Sequence, residues 1–168
     1  MTTDFVIHPF PPLFDENAKT LILGSFPSVK SREAMFFYGH PQNRFWKVLS
    51  AVFTEKLPES IEEKKVLVLS HHLALWDCIH SCTITGSSDS SVKDVVPNDI
   101  SEMMTNSKID RIFCNGTLSY KMYRKYIFPN TGIEAIKLPS TSPANASYSL
   151  DKLITEWKVI QPLPDMLF

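Results

Sequence analysis

The densest run of chemistry-bearing side chains is Phe36-Phe37-Tyr38-Gly39-His40-Pro41-Gln42-Asn43-Arg44-Phe45-Trp46. Three consecutive aromatics followed by Gly, His and Pro cannot all face one core from a single helix or strand, so at least one ring should line a cleft. A ring in a cleft beside an amide and an imidazole suits a flat heterocycle, which needs stacking on its face and hydrogen bonds at its edge. The second half of the run also has an ordinary structural use. Phe45, Trp46 and Leu49 are spaced to pack a helix onto a sheet, and Asn43 can cap that helix.

Other clusters point to chemistry less directly. Gly24-Ser25-Phe26-Pro27-Ser28 follows an apolar run, as a nucleophile elbow would, but it lacks the second glycine and puts Phe26 where the elbow needs serine. Neither a phosphate-binding loop nor a dinucleotide fingerprint occurs. His71, His72, Cys78, His80 and Cys82 contain zinc-type ligands, but their spacing matches no closed structural site. If residues 73–80 form a strand, Cys78 and His80 share a face with Trp76, and Cys78 is ordinary core packing. Asp77 and Asp89 could act as the paired carboxylates of a sugar hydrolase, although nothing in the sequence sets the separation such a pair requires. The alternative for Asp77 is to orient a loop or meet a basic side chain. Asn115, just before Gly116, reads equally as a turn amide and as a functional one.

Positioning these residues requires a scaffold that alternates strands and helices. Thr20-Leu21-Ile22-Leu23, Leu73-Ala74-Leu75-Trp76, Arg111-Ile112-Phe113-Cys114 and residues 133–138 read as strands of a mostly parallel sheet. Helical stripes fall at 44–54, 117–126 and 149–159, with another helix beginning near Glu59 and ending with 64–68. Residues 1–17 hold Pro9, Pro11 and Pro12 and predict an extended arm. The alternation predicts an α/β domain spanning 1–168 whose ligands sit outside the carboxyl ends of the strands.

With 168 residues, 43% hydrophobic and 21% charged, the chain has the composition of one folded domain with a real core. Seventeen Lys+Arg against 18 Asp+Glu give a formal net charge of -1, which lacks the bulk basic signature of a protein that coats nucleic acid. A basic face is still possible locally: Lys30, Arg32, Arg44 and Lys47 flank the aromatic run with only Glu33 opposing, and Lys121, Arg124 and Lys125 form a second group. No secretory leader or membrane-spanning run is legible, and three cysteines suit free thiols. These features predict an intracellular, membrane-free protein.

Taken in order, Leu21-Ile22-Leu23-Gly24-Ser25-Phe26-Pro27-Ser28, Tyr38-Gly39-His40-Pro41-Gln42-Asn43-Arg44-Phe45-Trp46, Leu75-Trp76-Asp77, Gly86-Ser87-Ser88-Asp89-Ser90 and Leu138-Pro139-Ser140-Thr141-Ser142-Pro143-Ala144-Asn145 resemble the uracil-DNA glycosylase superfamily. The likeness runs from about residue 10 to 157 and is greatest to the hypoxanthine-DNA glycosylase branch. It implies a three-layer α/β/α fold with a four-stranded, mainly parallel sheet. It also implies a monomer that takes double-stranded DNA as partner, flips out a deaminated base and hydrolyses its N-glycosidic bond without metal or cofactor. Hypoxanthine is the leading base, with uracil and xanthine as alternatives; a catalytically silent DNA-binding module and a hydrolase of free nucleosides are rival readings.

By position, the resemblance makes Asn43 the catalytic amide, since Phe26 stands where the mismatch-specific branch has its water-orienting Asn. It puts Tyr38 where related enzymes stack a ring on the flipped base. Ser25, Phe26, Gly39, His40 and Asn115 complete the expected base pocket. Pro27 and Ser28, with Ser140, Thr141, Ser142, Pro143, Ala144 and Asn145, are the expected DNA contacts. Two positions depart from the pattern: Leu138 replaces a His or Asn that contacts the base in sister branches, and Ile84 stands where relatives carry Arg. Three cysteines also fall short of the four an iron-sulfur cluster needs.

Overall fold

The structure, a computed structural model, describes residues 2–162. Its strands are β1 (Thr3–Ile7), β2 (Thr20–Gly24), β3 (Leu73–Asp77), β4 (Ile79–Thr85), β5 (Lys93–Pro97), β6 (Arg111–Asn115) and β7 (Ala135–Leu138). Its helices are α1 (Val29–Ala34), α2 (Phe45–Val52), α3 (Ile61–Ser70), α4 (Ser101–Thr105), α5 (Thr117–Met122), α6 (Phe128–Thr131) and α7 (Leu150–Trp157). A π-turn, Tyr123–Ile127, joins α5 to α6.

The main sheet has the order β3-β2-β6-β7 and every pairing in it is parallel. β2 leads to β3 on one side while β6 leads to β7 on the other, so the strand order reverses between β2 and β6. In an open parallel sheet the crevice at such a reversal is the usual ligand site. All of β2 is buried because both sheet faces are covered. Ile22, Leu75 and Phe113 join α2, α3 and α7 on one face, whereas Leu21, Leu23, Ala74, Ile112 and Cys114 meet α4, Tyr123 and β4 on the other. Each Leu, Ile or Phe among them contributes about 1.5–3 kcal/mol on burial. The expected three layers are therefore present.

A second sheet went unread in the sequence. β1, β4 and β5 pair antiparallel in the order β1-β4-β5. The expected N-terminal arm is thus corrected: Thr3–Ile7 is a strand, and only the proline-rich stretch after it runs irregularly, joined to the main sheet through a bridge from Leu13 to Leu75. Pro9, Pro11 and Pro12 lie outside the strand, so their missing N–H groups do not disturb its ladder. The strand read at Leu73-Ala74-Leu75-Trp76 is β3, but it does not continue to His80. The chain leaves the parallel sheet after Asp77 and starts β4 at Ile79, leaving Cys78 buried and His80 exposed. Asn98 holds this crossing by donating Nδ2–H to the carbonyls of Asp77 (2.8 Å) and Ile79 (3.1 Å).

Candidate active site

The carboxyl ends of β2, β6 and β7 bring together three loops far apart in sequence. Between them runs a directional chain of hydrogen bonds. The backbone N–H of Thr141 donates to Asn115 Oδ1 (3.1 Å), which fixes that amide, so its Nδ2–H donates to Thr141 Oγ1 (3.0 Å). The hydroxyl proton of Thr141 then goes to Asn43 Oδ1 (2.8 Å), which also accepts the backbone N–H of Phe45 (2.9 Å). A backbone N–H can only donate, so the orientation of both amides is determined rather than free. Oδ1 of Asn43 is occupied twice and its Nδ2 is left as the outward donor. The N-cap of α2 is Arg44 and not Asn43, which precedes it and takes the N–H of the first helical residue, Phe45.

Arg44 braces the same region. Its Nη2 donates to the carbonyls of Ser142 and Asn145, both at 3.0 Å, and Nη1 to that of Tyr148. The guanidinium therefore shapes the loop after β7 instead of facing solvent. Arg32 does likewise for the loop after β2, donating to the carbonyls of Pro27 (2.9 Å) and Gly86 (3.2 Å). Of the expected basic groups, Lys30, Lys47, Lys121, Arg124 and Lys125 keep exposed side chains, Lys30 beside Glu33 and Arg124 beside Glu134.

Within the loop after β7, Asn145 Nδ2 donates to the Ser140 carbonyl (3.0 Å), and the hydroxyls of Ser140 and Ser142 accept the N–H groups of Ser142 and Ala144. These bonds hold Pro143 and Ala144 out at an exposed tip. Beside the loop lies an open groove of about 710 Å³, lined by Gly116, Thr117, Lys121, Ser140, Ser142 and Asn145 among others. Gly116 sits at φ 95°, and a Cβ there would come within 3.2 Å of Ser140 Cβ, so glycine is needed where the two loops meet.

A second polar corner lies at the ends of β2 and β3. Tyr38 stacks on Phe45 with ring centroids 3.9 Å apart and 15° between planes. Its backbone is left-handed at φ 52°, which costs a bulky residue about 1–2 kcal/mol. Its hydroxyl is buried and makes no hydrogen bond of good geometry. Burial raises its pKa, with the nearby Asp77 adding to the rise and the Asn115 amide opposing it, so the group is a neutral phenol. Asp77 is buried against His8, whose Nε2 is 2.7 Å from Asp77 Oδ2. A Cβ on Gly24 would stand 2.3 Å from Asp77 Oδ1 and 3.2 Å from the Tyr38 hydroxyl, so only glycine fits.

The remaining expected site residues are placed as follows. Ser25 and Phe26 are half-buried, and Phe26 lies against His8 and under Arg32. Gly39 donates its N–H to Ser31 Oγ (2.8 Å), while His40 Nδ1 accepts from the Gln42 N–H (3.1 Å). Thr141, expected among the DNA contacts, is fully buried as the link between the two amides, which corrects that reading. Pro27 is buried too, and Ser28 caps α1 by accepting the Ser31 N–H. Leu138 is in the core, so the apolar departure noted in the sequence is a packing residue.

The alternative clusters do not assemble. Cys78 and Cys82 are buried and His80 exposed, and no group of three potential metal-ligating side chains occurs among the described residues. Burial pushes the Cys114 thiol up to about 12 and raises that of Cys78, so both are inert packing groups. Asp77 is buried against His8 whereas Asp89 is exposed on the turn Asp89–Ser91. Sequence reasoning missed His8 altogether, because its partner is 69 positions away and a lone histidine beside Pro9 carries no local signal.

The description "Uracil DNA glycosylase superfamily" belongs to a family model that matches residues 11–166. The chain belongs to this superfamily. A hypoxanthine DNA glycosylase of Methanosarcina acetivorans is 34% identical over 152 residues, covering 90% of this chain and 95% of that protein. One of Methanosarcina barkeri is 34% identical over 140 residues, covering 81% and 86%. The solution structure of a candidate uracil DNA glycosylase from M. acetivorans superposes with a TM-score of 0.78 at 32% identity, covering 92% of this chain and 96% of that one. Superfamily membership accounts for the parallel sheet and for loops gathered at its carboxyl edge. No helix among the described residues is long and apolar enough to cross a membrane.

Proposed function

We propose that this chain is a monofunctional DNA glycosylase that hydrolyses the N-glycosidic bond of a deaminated base, foremost hypoxanthine in deoxyinosine, and leaves an abasic site. The observation that carries the reading is the directional chain from Asn115 through Thr141 to Asn43, which aims one amide N–H₂ outward at the strand-order reversal. Both Methanosarcina relatives named as hypoxanthine DNA glycosylases support the choice of base.

Glycosidic cleavage passes through an oxocarbenium-like sugar while the departing base gathers negative charge. No strong base is needed for such a step, only positioning and charge stabilisation. Asn43 Nδ2 is suited to both. Donating to a water oxygen orients that water and leaves its other lone pair for the sugar carbon; donating toward the base stabilises the developing anion. Tyr38, backed by Phe45, is the stacking platform, with Ser25, Phe26, Gly39, His40 and Asn115 around it. The exposed Pro143-Ala144 tip fills the gap left by the flipped nucleotide, and the loop serines with Lys121 lie along the phosphates. The chain acts as a monomer inside the cell, on duplex DNA and without a cofactor.

Duplex oligonucleotides carrying one deoxyinosine, deoxyxanthosine or deoxyuridine, run beside free deoxyinosine, test the assignment. Alkali-labile sites should appear at deoxyinosine fastest. None above background in any duplex would sink it, and binding without release would favour the silent DNA-binding module.

A further inference from the structure

Arg44 follows Asn43 directly and grips the loop after β7 along its length. Its backbone N–H donates to the Thr141 carbonyl (3.0 Å), and its Nη2 donates to the carbonyls of Ser142 and Asn145, both at 3.0 Å. Those two residues open and close the turn whose middle is the exposed Pro143-Ala144 tip, and the Asn145 N–H closes the same turn on the Ser142 carbonyl (3.0 Å). One nitrogen therefore pinches the base of the tip. Nη1 ties down the chain beyond it through the Tyr148 carbonyl.

Filling space does not explain the choice of side chain. Among the described residues no ion pair includes Arg44, and its Nε is buried without a hydrogen-bond partner. A half-buried cation with only neutral acceptors and one unpaired N–H is costly, and an apolar side chain would pack there at less cost. What a guanidinium alone supplies is a rigid fork that donates in several directions. The bonds that orient Asn43 come from the Thr141 hydroxyl and the Phe45 N–H, and none from the guanidinium, so the loop can be loosened without turning the amide.

We propose that Arg44 is a positioning residue for base flipping, holding the Ser142–Asn145 turn in the shape that fills the gap before the duplex arrives. This rests on the glycosylase reading and deepens it. A wedge ordered in advance offsets part of the cost of unpairing and unstacking the target nucleotide. Its contribution is greatest where the target base is paired and least where the base has no partner to leave. Arg44 thereby sets how strongly the rate depends on the opposite base.

The test is single-turnover cleavage of deoxyinosine in two duplexes, one opposite cytosine, which pairs with it, and one opposite a stable abasic-site analogue, which does not. Arg44→Met should lose about 10-fold or more opposite cytosine and about threefold or less opposite the analogue. Arg44→Lys, which keeps the charge without the fork, should follow Arg44→Met. Asn43→Ala, which acts on the chemical step, should lose equally on both. The ratio between the two duplexes does not depend on how much of a variant is folded, because misfolded protein lowers both rates alike. Equal loss on both duplexes or no loss in Arg44→Met, or full activity in Arg44→Lys, would overturn the proposal. Wild-type cleavage with an unchanged ratio in Arg44→Met removes this inference alone, whereas no cleavage by wild type on either duplex removes the glycosylase reading and this one with it.

Discussion

Two polar corners sit side by side at the carboxyl edge of the sheet, and they differ in how far the protein satisfies itself. Around Asn43, Thr141 and Asn115 the bonds run in one direction, leaving only an outward N–H₂. Around Tyr38 and Asp77 a buried hydroxyl has no partner and the backbone is left-handed. The first corner is built to hold one group still. The second keeps a buried hydroxyl unpaired and a left-handed backbone at a bulky residue, features that cost stability and cluster at functional sites.

Breaking the satisfied corner should have the larger consequence. Asn43→Ala should lower the single-turnover rate on a deoxyinosine duplex by about 10² or more, as expected for loss of a preorganised electrostatic group. Asn43→Asp sharpens the comparison: Oδ1 keeps its two incoming bonds, but the outward donor becomes an acceptor. A similar loss is expected, and a rate near wild type would show that an acceptor does the work.

Thr141→Val comes next. It removes the link while keeping the volume, leaving Asn115 Nδ2 and one lone pair of Asn43 Oδ1 short of partners. A loss of stability of about 1–3 kcal/mol in denaturant unfolding is expected, with a rate decrease of about 10-fold because Asn43 is held by Phe45 alone. An unchanged rate would show that the link does not position Asn43.

The smallest effect concerns pH and the unsatisfied corner together. Burial raises the Tyr38 phenol and the Cys78 and Cys114 thiols, the last to about 12. Unfolded thiols lose protons from about pH 8.5 upward while the folded ones keep theirs, so the unfolded state binds fewer protons and stability falls as pH rises. The thermal midpoint should therefore drop between pH 8 and pH 11. A flat or rising midpoint would show that these groups are not sealed from water.

Much of this was legible in order along the chain. The buried run of β2, the aromatic stretch through Trp46 and the loop after β7 each carry a local pattern, and strand periodicity with turn chemistry predicts the parallel sheet. The antiparallel sheet was not legible. β1 is mostly exposed and lies ahead of prolines, and its pairing with β4 joins Thr3 to Thr85, so no nearby residue announces it. Thr141 illustrates the same limit at the site: a polar residue in a Ser-Thr-Ser loop reads as a surface contact, and only the approach of two distant loops buries it.

By itself, the sequence determined which groups are available: an amide, stacked aromatics, glycines at strand ends and a polar loop, arranged on an α/β frame. Only the tertiary structure decided which atom of Asn43 faces outward, that Arg32 and Arg44 brace loops, and that His8 meets Asp77. Each of those depends on direction and distance between segments separated by dozens of residues, and local propensity carries no information about either.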